Sequence, residues 1–203
     1  MAYQYDVFIS YRSVTKKWVT ETFLPLFHTH LREAIGGREP DIFIDTKRIE
    51  NGDAWEQRLK NALAHSKTVV AVLTPSYFHS EWCAREFSVM RQRAQAHGLL
   101  SVENPGGLIA PVSISDGEYF PEFVKTLQQE KLHDFYNTAE AFCKTDKFVD
   151  FENKVKDWVH KVASIINHAP DWNAEWLEQA WLDDVLFEDL LINQQKPIKL
   201  QGL

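Results

Sequence analysis

Cysteine is scarce in this chain: 203 residues hold two, Cys83 and Cys143. That excludes a disulfide scaffold and a four-cysteine zinc site. Positive charge is in deficit, with 22 Lys and Arg against 29 Asp and Glu and a net charge of −7. A general nucleic-acid binder needs a basic face to displace counterions, so no direct nucleic-acid partner is expected. No apolar run approaches the ~20 residues that span a bilayer. The opening Met1–Asp6 has neither the basic region nor the apolar stretch of a leader. No membrane partner is expected, and the expected compartment is a reducing cytoplasm. The eight histidines show no metal spacing, and no metal or cofactor is expected. Glycine is sparse too, and Asn104-Pro105-Gly106-Gly107 reads as a loop, not a phosphate cradle. What the chain does have is 44% hydrophobic and 13% aromatic content, enough to close the core of one domain.

The net charge is uneven. From Ala169 onward the chain carries Asp171, Glu175, Glu178, Asp183, Asp184, Glu188 and Asp189 against only Lys196 and Lys199. The same tail holds Trp172, Trp176 and Trp181. This shift, with Pro170 near its start, marks a boundary: residues 1–168 form a domain and 169–203 an acidic, Trp-rich helical tail. Its stripe of Trp172, Trp176, Trp181, Leu182, Val185, Leu186, Leu190 and Leu191 is expected to dock on the domain in preference to standing exposed for a partner.

Within 1–168, short apolar runs alternate with helical periodicities. Strands are predicted at Tyr5–Ser10, Ile42–Asp45, Thr68–Leu73, Leu108–Val112 and around Lys131–Tyr136. The third, continuous and β-branched, reads as buried on both faces. Helical patterns run through Trp18–Ile35, with Pro25 expected to kink or restart the helix. Others run from Asp53 to Ala64, over 79–97, in a short piece near 120–129, and over Lys147–Asn167. Alternation of this kind implies a flavodoxin-like, doubly wound, five-stranded parallel sheet. Ligands of such sheets bind outside the carboxyl ends of the strands, in the loops after residues 10, 45, 74 and 113.

Three segments carry chemistry. Asp6-Val7-Phe8-Ile9-Ser10-Tyr11-Arg12 is a strand running into a polar loop. Phe43-Ile44-Asp45 leads through Thr46-Lys47-Arg48-Ile49-Glu50-Asn51-Gly52-Asp53 to Trp55. The third runs from Ser66 through Tyr77 and Ser80-Glu81-Trp82-Cys83-Ala84-Arg85-Glu86. Trp82 and Glu86 stand four apart at a helix start, so they share a face. A flat aromatic beside a carboxylate suits a site that stacks a planar ring and stabilises a positive centre.

In this order the three segments resemble a Toll/interleukin-1 receptor (TIR) domain, particularly its bacterial NAD-cleaving branch, over about residues 3–168. The Ser80-x-Trp82-Cys83-x-x-Glu86 stretch is the most specific part. The resemblance implies NAD+ as substrate and cleavage of its nicotinamide–ribose bond, as a glycohydrolase or cyclase. The oxocarbenium-like transition state of that step needs a carboxylate near the ribose, as in glycoside hydrolysis. The family's catalytic glutamate falls on Glu86. Substrate contacts fall on Ser10, Tyr11, Arg12, Asp45 and Trp82. The loop through Thr46, Lys47, Arg48, Ile49, Gly52 and Trp55 falls where members make TIR–TIR contacts. The implied partners are further copies of the chain, as an oligomer or filament, and a sensor or downstream effector protein. The implied setting is bacterial anti-phage defence, by NAD depletion or an ADP-ribose-derived signal. Ser13-Val14-Thr15-Lys16-Lys17 departs from the acidic residue that many members carry after the first strand.

The bland readings stand beside these. By itself, Glu86 reads equally as a solvated helix residue, Trp82 as a core anchor, Arg12 as a surface charge and Cys83 as a small buried packer. The alternative function is a non-catalytic adaptor working by TIR–TIR assembly. A phospho-receiver of similar fold needs an aspartate at the end of its third strand, where this chain has Leu73-Thr74-Pro75. A nucleoside deoxyribosyltransferase remains a more distant reading.

Overall fold

The computed structural model describes residues 2–46 and 53–179. Five strands form one sheet: β1 (Tyr5–Tyr11), β2 (Ile42–Ile44), β3 (Ser66–Leu73), β4 (Ile109–Ser113) and β5 (Glu130–Lys131). All neighbours are parallel, in the order β2-β1-β3-β4-β5. This is the expected flavodoxin-like sheet. The helices are α1 (Lys16–Trp18), α2 (Leu24–Ala34), α3 (Asp53–Ala64), α4 (Glu81–Ala96), α5 (Glu122–Lys125), α6 (Asp146–Asn167) and α7 (Trp176–Gln179). Helix α3 lies against β1 and α4 against β1 and β3, while α6 lies against β3 and β4 and pairs with α2. The β3 run Val69–Leu73 is wholly inaccessible, as its unbroken apolar sequence predicts.

Pro25 does not break its helix. A π turn over Val19–Phe23 joins α1 to α2 just ahead of it. Proline lacks the N–H for the ladder and its ring presses on the carbonyl four residues back, and a wider turn accommodates both. The same turn lines up an aromatic column. Trp18 stacks on Phe23 at 5.4 Å, Phe23 on Phe27 at 5.3 Å, and Phe27 meets Trp158 of α6 at 5.7 Å.

The fifth strand is shorter than predicted. After Glu130–Lys131 the chain leaves the sheet at Leu132 and makes a 3-10 turn over His133–Phe135. The turn carries Phe135 onto Phe151 at 5.6 Å and presents its carbonyl to Trp18 Nε1 at 3.0 Å. Core packing thus overrides extension there. The helix expected over 79–97 likewise starts later. Tyr77–His79 forms a 3-10 turn, and α4 begins after Ser80, whose hydroxyl accepts from the Cys83 N–H at 3.5 Å.

The tail's described part packs at the amino ends of the strands. Trp172 Nε1 donates to the Ala64 carbonyl at 3.1 Å, and its ring stacks on His65 at 4.9 Å, within 3° of parallel. Tyr3 donates its hydroxyl to the Pro170 carbonyl at 2.7 Å. Trp176 is buried, with the Arg93 guanidinium 4.0 Å above its ring. Arg93 also donates to the Ser66 carbonyl at 3.0 Å. Burial pushes Arg93 down to about 10, with Tyr3 opposing, and pushes Tyr3 up to about 12. Trp181, Leu182, Val185, Leu186, Leu190 and Leu191 lie outside the described residues. Among the described residues, no helix is long and apolar enough to cross a membrane.

Candidate active site

The strand order reverses beside β1, so the crevice of a doubly wound sheet opens at the carboxyl ends of β1 and β3. Three short structures meet there. The last residues of β1 supply Ser10 and Tyr11. The 3-10 turn after β3 buries Tyr77 and Phe78, and Phe78 packs edge-on against Phe87 at 5.4 Å. That contact sets the approach of α4, whose Cys83 Sγ comes within 3.6 Å of the Tyr11 carbonyl. One turn further on, Glu86 is turned inward and is only 2% exposed. The solvated-residue reading of Glu86 therefore fails.

Glu86 meets β1 directly. Ser10 Oγ donates to Glu86 Oε2 at 2.5 Å, and Tyr77 Oη lies 2.6 Å from the same Ser10 oxygen. Ser10, Tyr77 and Glu86 are all buried.

A second constellation borders the first. Tyr11 Oη donates to the Asp45 carbonyl at 2.7 Å. The Asp45 carboxylate accepts from Trp55 Nε1 and from Arg58, each at 2.7 Å. Trp55 meets Trp82 edge to face, with centroids 4.8 Å apart, and the Arg85 guanidinium lies 5.7 Å from the Trp82 ring centre. Asp45, expected to touch substrate, thus clamps the two ends of the 46–53 segment together. Thr46 is exposed, and its carbonyl accepts from Lys16 Nζ at 2.8 Å. Lys47, Arg48, Ile49 and Gly52 lie outside the described residues.

Arg12 is half-buried at the start of the loop after β1. Its carbonyl is held by the Thr15 N–H at 2.9 Å and the Thr15 hydroxyl at 2.8 Å. Its Nε is buried without a hydrogen-bond partner among the described residues. A donor in that state is ready for an acceptor brought by a ligand.

The sequence reading reached Glu86, Ser10, Tyr11 and Trp82, which the structure brings to one end of the sheet. It did not single out Tyr77 or Arg58. Their contacts with Ser10 and Asp45 follow from the fold, and no spacing rule anticipates them. Two open clefts lie elsewhere. One of about 540 Å³ runs along β2 and α2 past Leu24, His28 and Ile42. One of about 290 Å³ lies beyond β4 near Ser115, Asp116 and Lys131. Neither is lined by Glu86. Among the described residues, no group of three His, Cys, Asp or Glu could hold a metal ion.

A family model described as "TIR domain" matches residues 7–144. Over 118 residues the chain is 30% identical to the "Probable 2' cyclic ADP-D-ribose synthase BdTIR" of Brachypodium distachyon, covering 58% of this chain and 50% of that protein. Over 83 residues it is 34% identical to the "Probable 2' cyclic ADP-D-ribose synthase TcpB" of Brucella abortus (strain 2308), covering 41% of this chain and 30% of that one. The matches thus span half or less of these relatives' length. Among solved structures, the TIR domains of the activated Roq1 resistosome align over 94% of this chain and 99% of theirs, at 20% identity and a TM-score of 0.36.

Proposed function

The chain belongs to the TIR domain family, and from that premise we propose that it cleaves the nicotinamide–ribose bond of NAD+, with Glu86 as the catalytic residue. The observation that carries this reading is the inward-turned Glu86 carboxylate at the switch point of the sheet, held by Ser10 and four residues after Trp82. The names of the two relatives support it.

The chemistry follows from the groups present. The C1′–N bond breaks with its electron pair moving to the nicotinamide nitrogen, which arrives cationic and leaves neutral. No strong general acid is needed. The positive charge left on the ribosyl centre is stabilised by an ionised carboxylate, worth most where water is excluded. Water attacking that centre gives ADP-ribose plus a proton, and a ribose hydroxyl of the same molecule gives a cyclic product plus a proton. Trp82 offers a ring for the nicotinamide, and Arg12 Nε a donor for an anionic diphosphate oxygen.

Glu86 is nearly inaccessible in the single chain, so NAD+ reaches it only when the surrounding elements move. The Asp45–Trp55–Arg58 clamp, which bears on Trp82 through Trp55, is the element best placed to transmit such a movement. Assembly of copies through the 46–55 loop is the proposed trigger, and defence signalling by NAD+ loss or by the product is the proposed setting. The same burial favours one other reading, a non-catalytic adaptor. Incubating concentrated protein with NAD+, with and without a crowding agent, and separating the products by chromatography decides between them. Nicotinamide release that rises with protein concentration supports the enzyme. No release under any assembling condition supports the adaptor.

A further inference from the structure

We infer that Tyr77 is a positioning residue, which fixes the Glu86 carboxylate by ordering the Ser10 hydroxyl between them. The inference rests on the reading of Glu86 as the carboxylate of the cleavage step.

Proton counting fixes the direction of both hydrogen bonds. An ionised carboxylate only accepts hydrogen bonds, and a serine hydroxyl has one proton to give. Ser10 spends that proton on Glu86 Oε2 at 2.5 Å. The 2.6 Å contact between Ser10 and Tyr77 must then run the other way, with the phenol donating to Ser10 Oγ. The result is a directed chain, Tyr77 to Ser10 to Glu86. Each donation polarises the next hydroxyl and strengthens its bond.

The placement suits that role. Tyr77 is wholly inaccessible and sits in a 3-10 turn whose neighbour Phe78 packs against α4, the helix that carries Glu86. Its ring meets Phe78 edge to face at 4.9 Å. Ser10 comes from the end of β1, where its neighbour Tyr11 is tied to the Asp45 carbonyl. The three members of the chain thus come from three separate elements, each anchored by its own packing. A carboxylate held in this way keeps one orientation toward a developing cation. Without Tyr77, the Ser10 hydroxyl can rotate away from Glu86 Oε2. Phenylalanine at 77 would fill nearly the same volume, so the hydroxyl, not the ring, is what the chain requires.

Tyr77→Phe tests this. The expected result is a fall in kcat for nicotinamide release from NAD+ of about tenfold, the scale of one charge-assisted hydrogen bond, with KM within about twofold of wild type. Because Tyr77 acts through Ser10, adding Tyr77→Phe to Ser10→Ala should cost much less than the product of the two single losses in kcat. A merely structural tyrosine would give multiplicative losses in the double variant, with a lower urea midpoint accounting for both. Wild-type kcat in Tyr77→Phe, or multiplicative losses, overturns the proposal. If Glu86→Gln turns over like wild type, the assignment of Glu86 as the catalytic residue fails instead. A second readout does not depend on turnover. The 13C carboxyl resonance of Glu86, assigned by its loss in Glu86→Gln, should move in Tyr77→Phe and in the same direction in Ser10→Ala. An unmoved resonance in Tyr77→Phe overturns the chain even in an inactive protein.

Discussion

The two ends of the β1 strand handle buried carboxylates in different ways. At the amino end, Asp6 is gripped by cations. Arg38 donates to both of its oxygens at 2.6 Å, and Lys67 adds a bond at 2.9 Å. Arg93 at the same end is fixed under Trp176 and tied to the Ser66 carbonyl. At the carboxyl end, Glu86 is oriented by a chain of hydroxyls. Cations and stacked rings hold a charge in one state. Hydroxyls hold a carboxylate in one direction yet can rotate when its surroundings change. Under the proposed function the amino end serves stability and the carboxyl end serves chemistry, and substitutions should separate the two.

The largest stability loss is expected from Trp176→Ala, about 3 kcal/mol in urea unfolding, because it removes a buried ring and leaves the Arg93 guanidinium uncovered. Nicotinamide release per folded molecule should not change. If it falls severalfold while folding is intact, the two ends are coupled and the division fails. Asp6→Asn is expected to cost less, about 2 kcal/mol, since Arg38 and Lys67 are partly exposed and regain water. Its pH signature sharpens the point. Burial alone would raise the Asp6 carboxyl, but the bonds from Arg38 and Lys67 outweigh it and hold it below the ordinary carboxylate range. A depressed carboxyl stabilises the fold above its unfolded pKa of about 3.9. That stability is lost as pH falls through the lower folded value. Wild type should thus lose stability on acidification over that range, and Asp6→Asn should lose less. The smallest effect is expected from Trp55→Phe, which keeps a ring against Trp82 but removes the Nε1 donor to Asp45. About 1 kcal/mol is expected in the urea midpoint.

Most of the sheet was legible because its strands announce themselves. The β-branched run at Thr68–Leu73 has one good solution, a strand buried on both faces, and the stripe of Lys147–Asn167 has one good solution as a long helix. The end of the fifth strand was not legible. Nothing local in Leu132–Tyr136 says that Phe135 must turn into the core and offer its carbonyl to Trp18, 117 positions away. The site divides in the same way. Glu86 and Trp82 share a helix face and so show as a spacing. Tyr77 and Ser10 are 67 positions apart and meet only through the fold. The Asp45 clamp is similar, because sequence marks the loop but not that Trp55 and Arg58 both turn back onto one carboxylate.

The central claim is that the hydroxyl-held carboxylate does the chemistry. The most direct measurement is the rate of nicotinamide release from NAD+ by concentrated wild-type protein and by Glu86→Gln, with the folded fraction of each fixed by urea titration. The account predicts measurable release by wild type and at least about a hundredfold less by the variant, the scale for losing a group that stabilises charge in the transition state. Equal, measurable rates from the two folded proteins would contradict it.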